Sequence, residues 1–433
     1  MNVSTKQQRI AELAKQSAQM SFHSLNHYLD REWLREAYGM LKKSSSPGSD
    51  GVTVEAYGQN LEENLRSLLD RVKSGRYHAP AVRRVHIPKP AAPHETRPIG
   101  IPTTEDKVLQ RAIAMLLEPI YEQDFLNGSF GFRPGRSPHQ ALDEFWRAVM
   151  KTEGGWVLEV DIRKFFDTLD RARLCELLQK RVRDGVILRL VGKWLNAGVL
   201  EKEQISYPER GTPQGGVISP MLSNIYLHYV LDVWFEQEIK PRLARRATLI
   251  RFADDFVIVF QSKGDAERVM EALPERFAKY GLSIHPDKTR LVRFAPAKEK
   301  AGKPEAVDFL GFTHYWGKSR WGKWVVKRKT AKSRLRRAMV VIWQWCRQEM
   351  HRPIAEQHAA LCRKLRGHYN YYGITGNYRS LRLYWHRLRQ SWRYWLNRRN
   401  RENRMTWERF LEMLTRYSLP TPYVVHSIYA AKP

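Results

Sequence analysis

Residues 249–260 read Leu249-Ile250-Arg251-Phe252-Ala253-Asp254-Asp255-Phe256-Val257-Ile258-Val259-Phe260. Apolar, β-branched and aromatic residues flank two adjacent carboxylates, the pattern of two short strands joined by a tight turn at Ala253-Asp254-Asp255. Two carboxylates side by side repel, so without a cation one of them holds a proton. A divalent ion removes that penalty, and hard oxygen donors suit Mg²⁺. Taken alone, the plainer reading is an Asp-rich hairpin turn, because Asp is a common turn residue. The rest of the chain decides between them.

Upstream, Trp156–Ile162 alternates: Trp156, Leu158, Val160 and Ile162 share one face, Glu159 and Asp161 the other. This predicts a half-buried strand with Asp161 near its end, pointing away from the core. Phe165 and Phe166 follow, then Asp167 and Asp170, which are most simply helix-capping acids. Asp161 has no helix start to cap. Two Gly-rich loops are candidates for close approach of backbone to a ligand, Phe130–Ser137 (FGFRPGRS) and Gly211–Pro220 (GTPQGGVISP). Gln214, in the second, can both donate and accept a hydrogen bond. Each loop reads equally as an ordinary turn or helix entry. Helices are expected over 61–73, 104–117 and from Met221 toward Glu238, strands over 82–87 and 96–102, and a turn and strand carrying Lys288 over 281–292.

Totals set the partner. Hydrophobic content of 42% and aromatic content of 11% describe a folded chain of 433 residues, long enough for two or three domains. A net charge of +29 points to a polyanion. The charge is concentrated: residues 311–404 hold 24 Lys+Arg against 3 acids, +21 of the +29, which predicts a domain boundary near 310. That region reads as a Trp-rich β piece followed by three helices. Packing accounts for tryptophans at helical spacing, whereas a solvated face mixes charge signs and this one hardly does. Cys175, Cys346 and Cys362 form no CxxC pair and offer no zinc site. The N-terminal residues lack a signal-peptide core. The longest apolar run, Ala338–Cys346, is too short for a membrane span. A soluble, cytoplasmic protein is expected.

A strand-end Asp161, an Asp254-Asp255 hairpin about 90 residues later and a basic helical region together suggest nucleotidyl transfer. There, two Mg²⁺ ions about 4 Å apart activate a primer hydroxyl and neutralise the leaving group. At this point the chain resembles the reverse transcriptases encoded by bacterial group II introns, the intron maturases. Eight blocks in order carry the resemblance: PGSDGV (47–52), IPKP with RPIGIPTTEDKVLQRAI (87–113), FGFRPGRSPHQAL (130–142), VDIRKFFDTLD (160–170), GTPQGGVISPMLSNIYL (211–227), RFADDFVIVF (251–260), GLSIHPDKT (281–289) and FLGF (309–312). GHYNYYG (367–373) resembles the maturase segment.

The resemblance implies an α+β right hand: an N-terminal extension and fingers over 1–150, a palm over 151–310, a basic helical thumb or maturase domain over 311–400, and a short basic tail over 401–433. It implies that Asp161, Asp254 and Asp255 bind two Mg²⁺ ions with the backbone carbonyl of Ile162 assisting. Lys89 and Arg97 would grip the incoming triphosphate, and Phe166 would exclude a 2′-hydroxyl. Gln214 would lie beside nucleotide and template, and Lys288 and Gly311 near nucleotide and primer. Arg393, Arg398, Arg399 and Arg401 are the expected nucleic-acid contacts. The implied partners are an RNA template, a group II intron RNA, a DNA primer or target, and dNTPs. The hairpin reads FADD where the family more often has YADD, and the tail, with His426 and no cysteine, lacks the Cys/His pairs of an HNH endonuclease. Two other readings stand beside this one: the same polymerase chemistry in phage defence, CRISPR spacer acquisition or repair without an intron, and a non-catalytic RNA-binding splicing factor. Three clustered carboxylates facing a polyanion speak against the last.

Overall fold

The computed structural model describes residues 2–17, 19–89, 92–202, 204–207, 215–296, 305–399 and 405–427. These form two compact units, Met1–Ala148 with Gly155–Leu291, and Val149–Gly154 with Val292–Pro433.

The first unit begins with helices α1 (Val3–Gln16), α2 (Arg31–Gly39), α3 (Val54–Gln59) and α4 (Leu61–Lys73). Side chains of Asn2, Asp30 and Thr53 cap the first three by accepting from backbone N–H groups. Strands β1 (Val82–Lys89) and β2 (Ala92–Ile101) then form an antiparallel ribbon. The ribbon runs through Pro88, where a break was expected; the register shifts between Pro88 and Lys89 and so absorbs the missing donor. Helix α5 (Thr104–Asp124) is apolar on nearly every side and lies in the core against α1 and α2. The Trp33 indole N–H donates to the Ala112 carbonyl at 2.9 Å, so a large ring is buried with its polar atom satisfied.

Helix α6 (Pro138–Lys151) leads to β3 (Gly155–Val160), the short α7 (Phe165–Thr168), α8 (Arg171–Gln179) and α9 (Gly185–Leu195). Strands β4 (Val199–Glu201) and β5 (Gln204–Ser206) extend the ribbon sheet in the order β2-β1-β4-β5. Helix α10 (Ser219–Leu227) continues into wide π-helical turns at His228–Asp232 and Trp234–Ile239, where one regular amphipathic helix was expected. Strands β6 (Ala247–Phe252) and β7 (Asp255–Phe260), helix α11 (Lys263–Ala278) and β8 (Arg290–Phe294) complete a second sheet, ordered β6-β7-β3-β8.

Strand β3 is paired along both edges, by β7 and β8, and is also buried on both faces, not half-buried as its alternation predicts. Val157 through Val160 are all buried, and Glu159 is accommodated by the Arg290 guanidinium. Asp170 caps α8 as expected, accepting from Arg173 N–H at 3.0 Å; Asp167 instead lies exposed within α7.

The second unit holds a three-stranded sheet, β9 (Val307–Phe309), β10 (Phe312–Lys318) and β11 (Trp324–Thr330), ordered β11-β10-β9. Four helices follow: α12 (Lys332–Gln348), α13 (Ile354–Tyr372), α14 (Tyr378–Arg399) and α15 (Trp407–Arg416). Trp392 is fully buried among them, its N–H donating to Gln357 Oε1 at 2.9 Å. No helix among the described residues is long and apolar enough to cross a membrane.

Candidate active site

The β6–β7 hairpin turns in two residues. Phe252 pairs with Asp255, leaving Ala253 and Asp254 at the bend, and Ala253 is left-handed at φ +58°. A non-glycine residue there is strained by about 1 kcal/mol or more, so the surroundings must hold it. They do so from two sides. The fully buried Arg251 guanidinium donates to the Ala253 carbonyl at 3.0 Å, and also to both oxygens of Asp232, to Asn224 Oδ1 and to Ser129 Oγ. From the other side, loop 128–133 lies against the hairpin: Phe130 N–H donates to the Arg251 carbonyl and Arg251 N–H to the Gly128 carbonyl. Gly131 is required here, since a Cβ on it would stand 2.3 Å from Ala253 N. Thus the FGFR block, which reads from sequence as a turn or a ligand loop, braces the Asp-Asp turn.

Asp254 is half-buried and Asp255 exposed. Burial pushes the Asp254 carboxyl above its ordinary value; its own backbone N–H, Arg97 and Arg251 oppose the rise, and the nearby charge of Asp161 adds to it. Asp161 follows the last residue of β3, which is paired through Val160 with Phe256 of β7. Neighbouring strands therefore deliver Asp161 and the Asp254-Asp255 turn to the same end of one sheet. The backbone around Ile162 is fixed as well: His285 N–H donates to the Asp161 carbonyl and Arg163 N–H to the Ser283 carbonyl, each at 2.8 Å. Those two bonds flank Ile162 and do not use its own carbonyl. Lys288, in the turn before β8, places Nζ 2.6 Å from Asp161 Oδ2.

The donor set is all oxygen, as Mg²⁺ prefers. Among the described residues, however, no group of three or more His, Cys, Asp or Glu stands close enough together to hold a metal ion. Arg97 is exposed on β2 opposite Ile87 in register. Phe166 is half-buried on α7, its ring edge-on to Phe165 at 5.3 Å. The Lys89 side chain, Gln214 and Arg401 lie outside the described residues. Of the loop bearing Gln214, Gly215–Ile218 is pinned by Gln110, whose Oε1 accepts from Val217 N–H at 2.8 Å.

In the second unit, two of the sequence blocks meet. The Leu310-Gly311 turn joins β9 to β10 with both residues left-handed, and Tyr371 of α13 donates its hydroxyl to the Leu310 carbonyl at 2.9 Å. Of the expected nucleic-acid arginines, Arg398 and Arg399 are exposed at the end of α14, Arg398 lying over the Tyr394 ring. Arg393 is half-buried. Its guanidinium lies 4.2 Å from the centre of the Trp407 ring and donates to the Met405 carbonyl, so it ties α14 to α15.

Residues 87–314 match the family described as Reverse transcriptase (RNA-dependent DNA polymerase). The chain is 32% identical over 304 residues to Protein YkfC of Escherichia coli K12, covering 63% of this chain and 79% of that protein. It is 36% identical over 245 residues to the Group II intron-encoded protein LtrA of Lactococcus lactis, covering 54% of this chain but 40% of LtrA. An uncharacterised 91 kDa protein in the cob intron of Schizosaccharomyces pombe is 33% identical over 226 residues, 51% of this chain and 27% of that protein.

Proposed function

We propose a function that proceeds from one premise: the chain belongs to the reverse transcriptase (RNA-dependent DNA polymerase) family. It carries an RNA-directed DNA polymerase domain related to group II intron-encoded proteins. On our reading its first unit supplies fingers and palm and its second a basic thumb, and it extends a DNA primer on an RNA template. Asp161, Asp254, Asp255 and the Ile162 carbonyl would hold two Mg²⁺ ions. Such a site would supply Lewis-acid chemistry, lowering the pKa of the primer hydroxyl and neutralising charge on the leaving pyrophosphate. The protein's own part is positional. Arg251 and loop 128–133 hold the Asp-Asp turn, Lys288 and Arg97 would offer cationic groups to a triphosphate, and Phe166 would exclude a 2′-hydroxyl.

The observation that carries this reading is the delivery of Asp161 and Asp254 by adjacent strands to one sheet end, close enough that the charge of Asp161 reaches Asp254. A structural acid pair gains nothing from such repulsion; a pair awaiting cations does. The second unit's basic surface and the kinship with an intron-encoded protein support a second role, binding a structured intron RNA to promote its splicing. The test is primer extension on an RNA template with Mg²⁺ and dNTPs. Asp254→Asn should lower the rate by about a hundredfold or more while RNA affinity stays close to wild type, because a metal donor is lost and no phosphate contact is. Wild-type synthesis in that variant would sink the assignment.

A further inference from the structure

The β10–β11 hairpin has two faces and a tip of different character. In register, Phe312 faces Thr330, His314 faces Arg328 and Trp316 faces Val326, and these six are buried. The other face presents Tyr315 opposite Lys327 and Thr313 opposite Lys329. Lys329 Nζ lies 5.0 Å from the centre of the Tyr315 ring, and the Lys327 stem lies over Gly317, where a Cβ would crowd it at 3.1 Å. Residues 312–330 contain six Lys+Arg and no acid.

The tip is the unusual part. Trp321 is 85% exposed, more than any other large hydrophobic side chain among the described residues. It is not on a loose loop. Ser319 N–H donates to the Lys323 carbonyl at 2.8 Å, and Gly322, left-handed at φ +74°, donates to the Ser319 carbonyl. Ser319 Oγ accepts from the N–H groups of both Trp321 and Lys323. A hydrogen-bonded turn thus holds an indole in water between Arg320 and Lys323, with Lys318 beside it over the Trp324 ring. Folding gains nothing from this ring, since it buries almost no apolar area. A planar ring among cations matches a base with phosphates on either side, the combination that binds single strands.

We propose that the tip of this hairpin binds single-stranded nucleic acid, Trp321 stacking on one unpaired base while Lys318, Arg320 and Lys323 take the adjoining phosphates. The proposal deepens the polymerase reading and rests on it for the class of partner. It names the surface of the second unit that meets an unpaired strand. Stacking is insensitive to salt and phosphate pairing is not, so the two parts separate experimentally.

The full chain is titrated with a short oligo-RNA containing 2-aminopurine, read by anisotropy and by the quenching that stacking produces. Trp321→Ala should weaken binding roughly 5- to 10-fold, equally at low and high salt, and abolish the quenching; Trp321→Phe should restore most of both. Lys318→Ala with Lys323→Ala should weaken binding at low salt and converge on wild type at high salt. Wild-type affinity and quenching in Trp321→Ala overturn the proposal. So does an equal loss on a blunt duplex of the same sequence, or a loss seen only with vesicles containing anionic lipid. A wild-type chain that fails to copy RNA overturns the polymerase reading and leaves the quenching result standing; wild-type synthesis with an indifferent Trp321 overturns only the hairpin.

Discussion

Phe166 projects from a single helical turn, and its ring is supported edge-on by Phe165, which in turn lies against Tyr226 at 6.3 Å. A ring held by packing can act as a steric wall; a mobile one cannot. If it stands beneath the sugar of the incoming nucleotide, Phe166→Val empties the space a 2′-hydroxyl would need. Ribonucleotide incorporation relative to deoxyribonucleotide should then rise about 10- to 100-fold, measured as competing single-nucleotide extension on one primer. An unchanged preference would assign sugar choice to another residue. At this scale the sequence is informative where chemistry and pattern coincide. Asp254 and Asp255 are adjacent in the chain and Asp161 ends an apolar strand, so all three stand out. Arg393 shows the opposite case: composition marks it as a ligand contact, but its aromatic partner Trp407 is 14 residues away, and the structure uses it for packing. Nothing in a charge count distinguishes that arginine from its exposed neighbours.

The Asp-Asp turn is an element that depends on other elements. Arg251 is its main support, and its partners Asp232, Asn224 and Ser129 come from the α10 region and from loop 128–133. A lone arginine in an apolar strand was the available signal, but partners between 19 and 122 residues away cannot be assigned from one sequence. The wide turns after Leu227 hid Asp232 further, because each alters the angular phase of the helix relative to a regular period. Three helices of the basic region, by contrast, were legible, since their apolar stripes and polar breaks are local; α15, within what reads as a tail, was not. Strand β3 was legible as a strand but not in its burial, which depends on what covers its second face. Removing one partner of the buried pair gives a direct test. Asp232→Ala leaves the Arg251 charge buried with its main counterion gone, and should lower the stability of the first unit by about 3–5 kcal/mol, seen as a lower urea midpoint. Polymerase activity in the folded fraction should fall too, because the Ala253 carbonyl loses its fixed donor. A loss under about 1 kcal/mol would mean that Arg251 reaches solvent and the pair is no brace.

Across the whole molecule, the two units should answer acid differently. In the second unit, burial pushes His314 down to about 3, with the charge of Arg328 adding to the effect, and burial pushes His368 down to about 4. Both are neutral when folded and accept protons when unfolded as pH falls below about 6.5. The unfolded unit therefore binds more protons across that window, so stability falls with pH between about 6.5 and 4. Glu408, held below its ordinary value first by its own backbone N–H, acts in the same direction only below about pH 4.5. Each histidine contributes about 0.7 kcal/mol per pH unit at pH 6.5, rising toward about 1.4 below it, so the pair should remove roughly 3 kcal/mol between pH 6.5 and 5. The first unit also buries a histidine, His228, pushed down to about 3 by burial and by Arg251, Arg133 and Lys180. There it is opposed by Asp106, which burial raises to about 7 while the Tyr77 hydroxyl donates to it. Asp106 keeps its proton when folded and loses it when unfolded, so over the same window its effect on stability runs the other way and largely offsets His228. Acidification from pH 7 to 5 should consequently open the second unit first. Hydrogen exchange resolved by peptide would show faster exchange in β10, β11 and α13 at pH 5, after correction for intrinsic rate, while α5 stays protected. His368→Phe, which keeps a ring against Tyr384 at the place of the present 3.9 Å stack, should remove about half of that dependence. Equal acid sensitivity in the two units, or none in the second, would show that these histidines reach water or protons in the folded state.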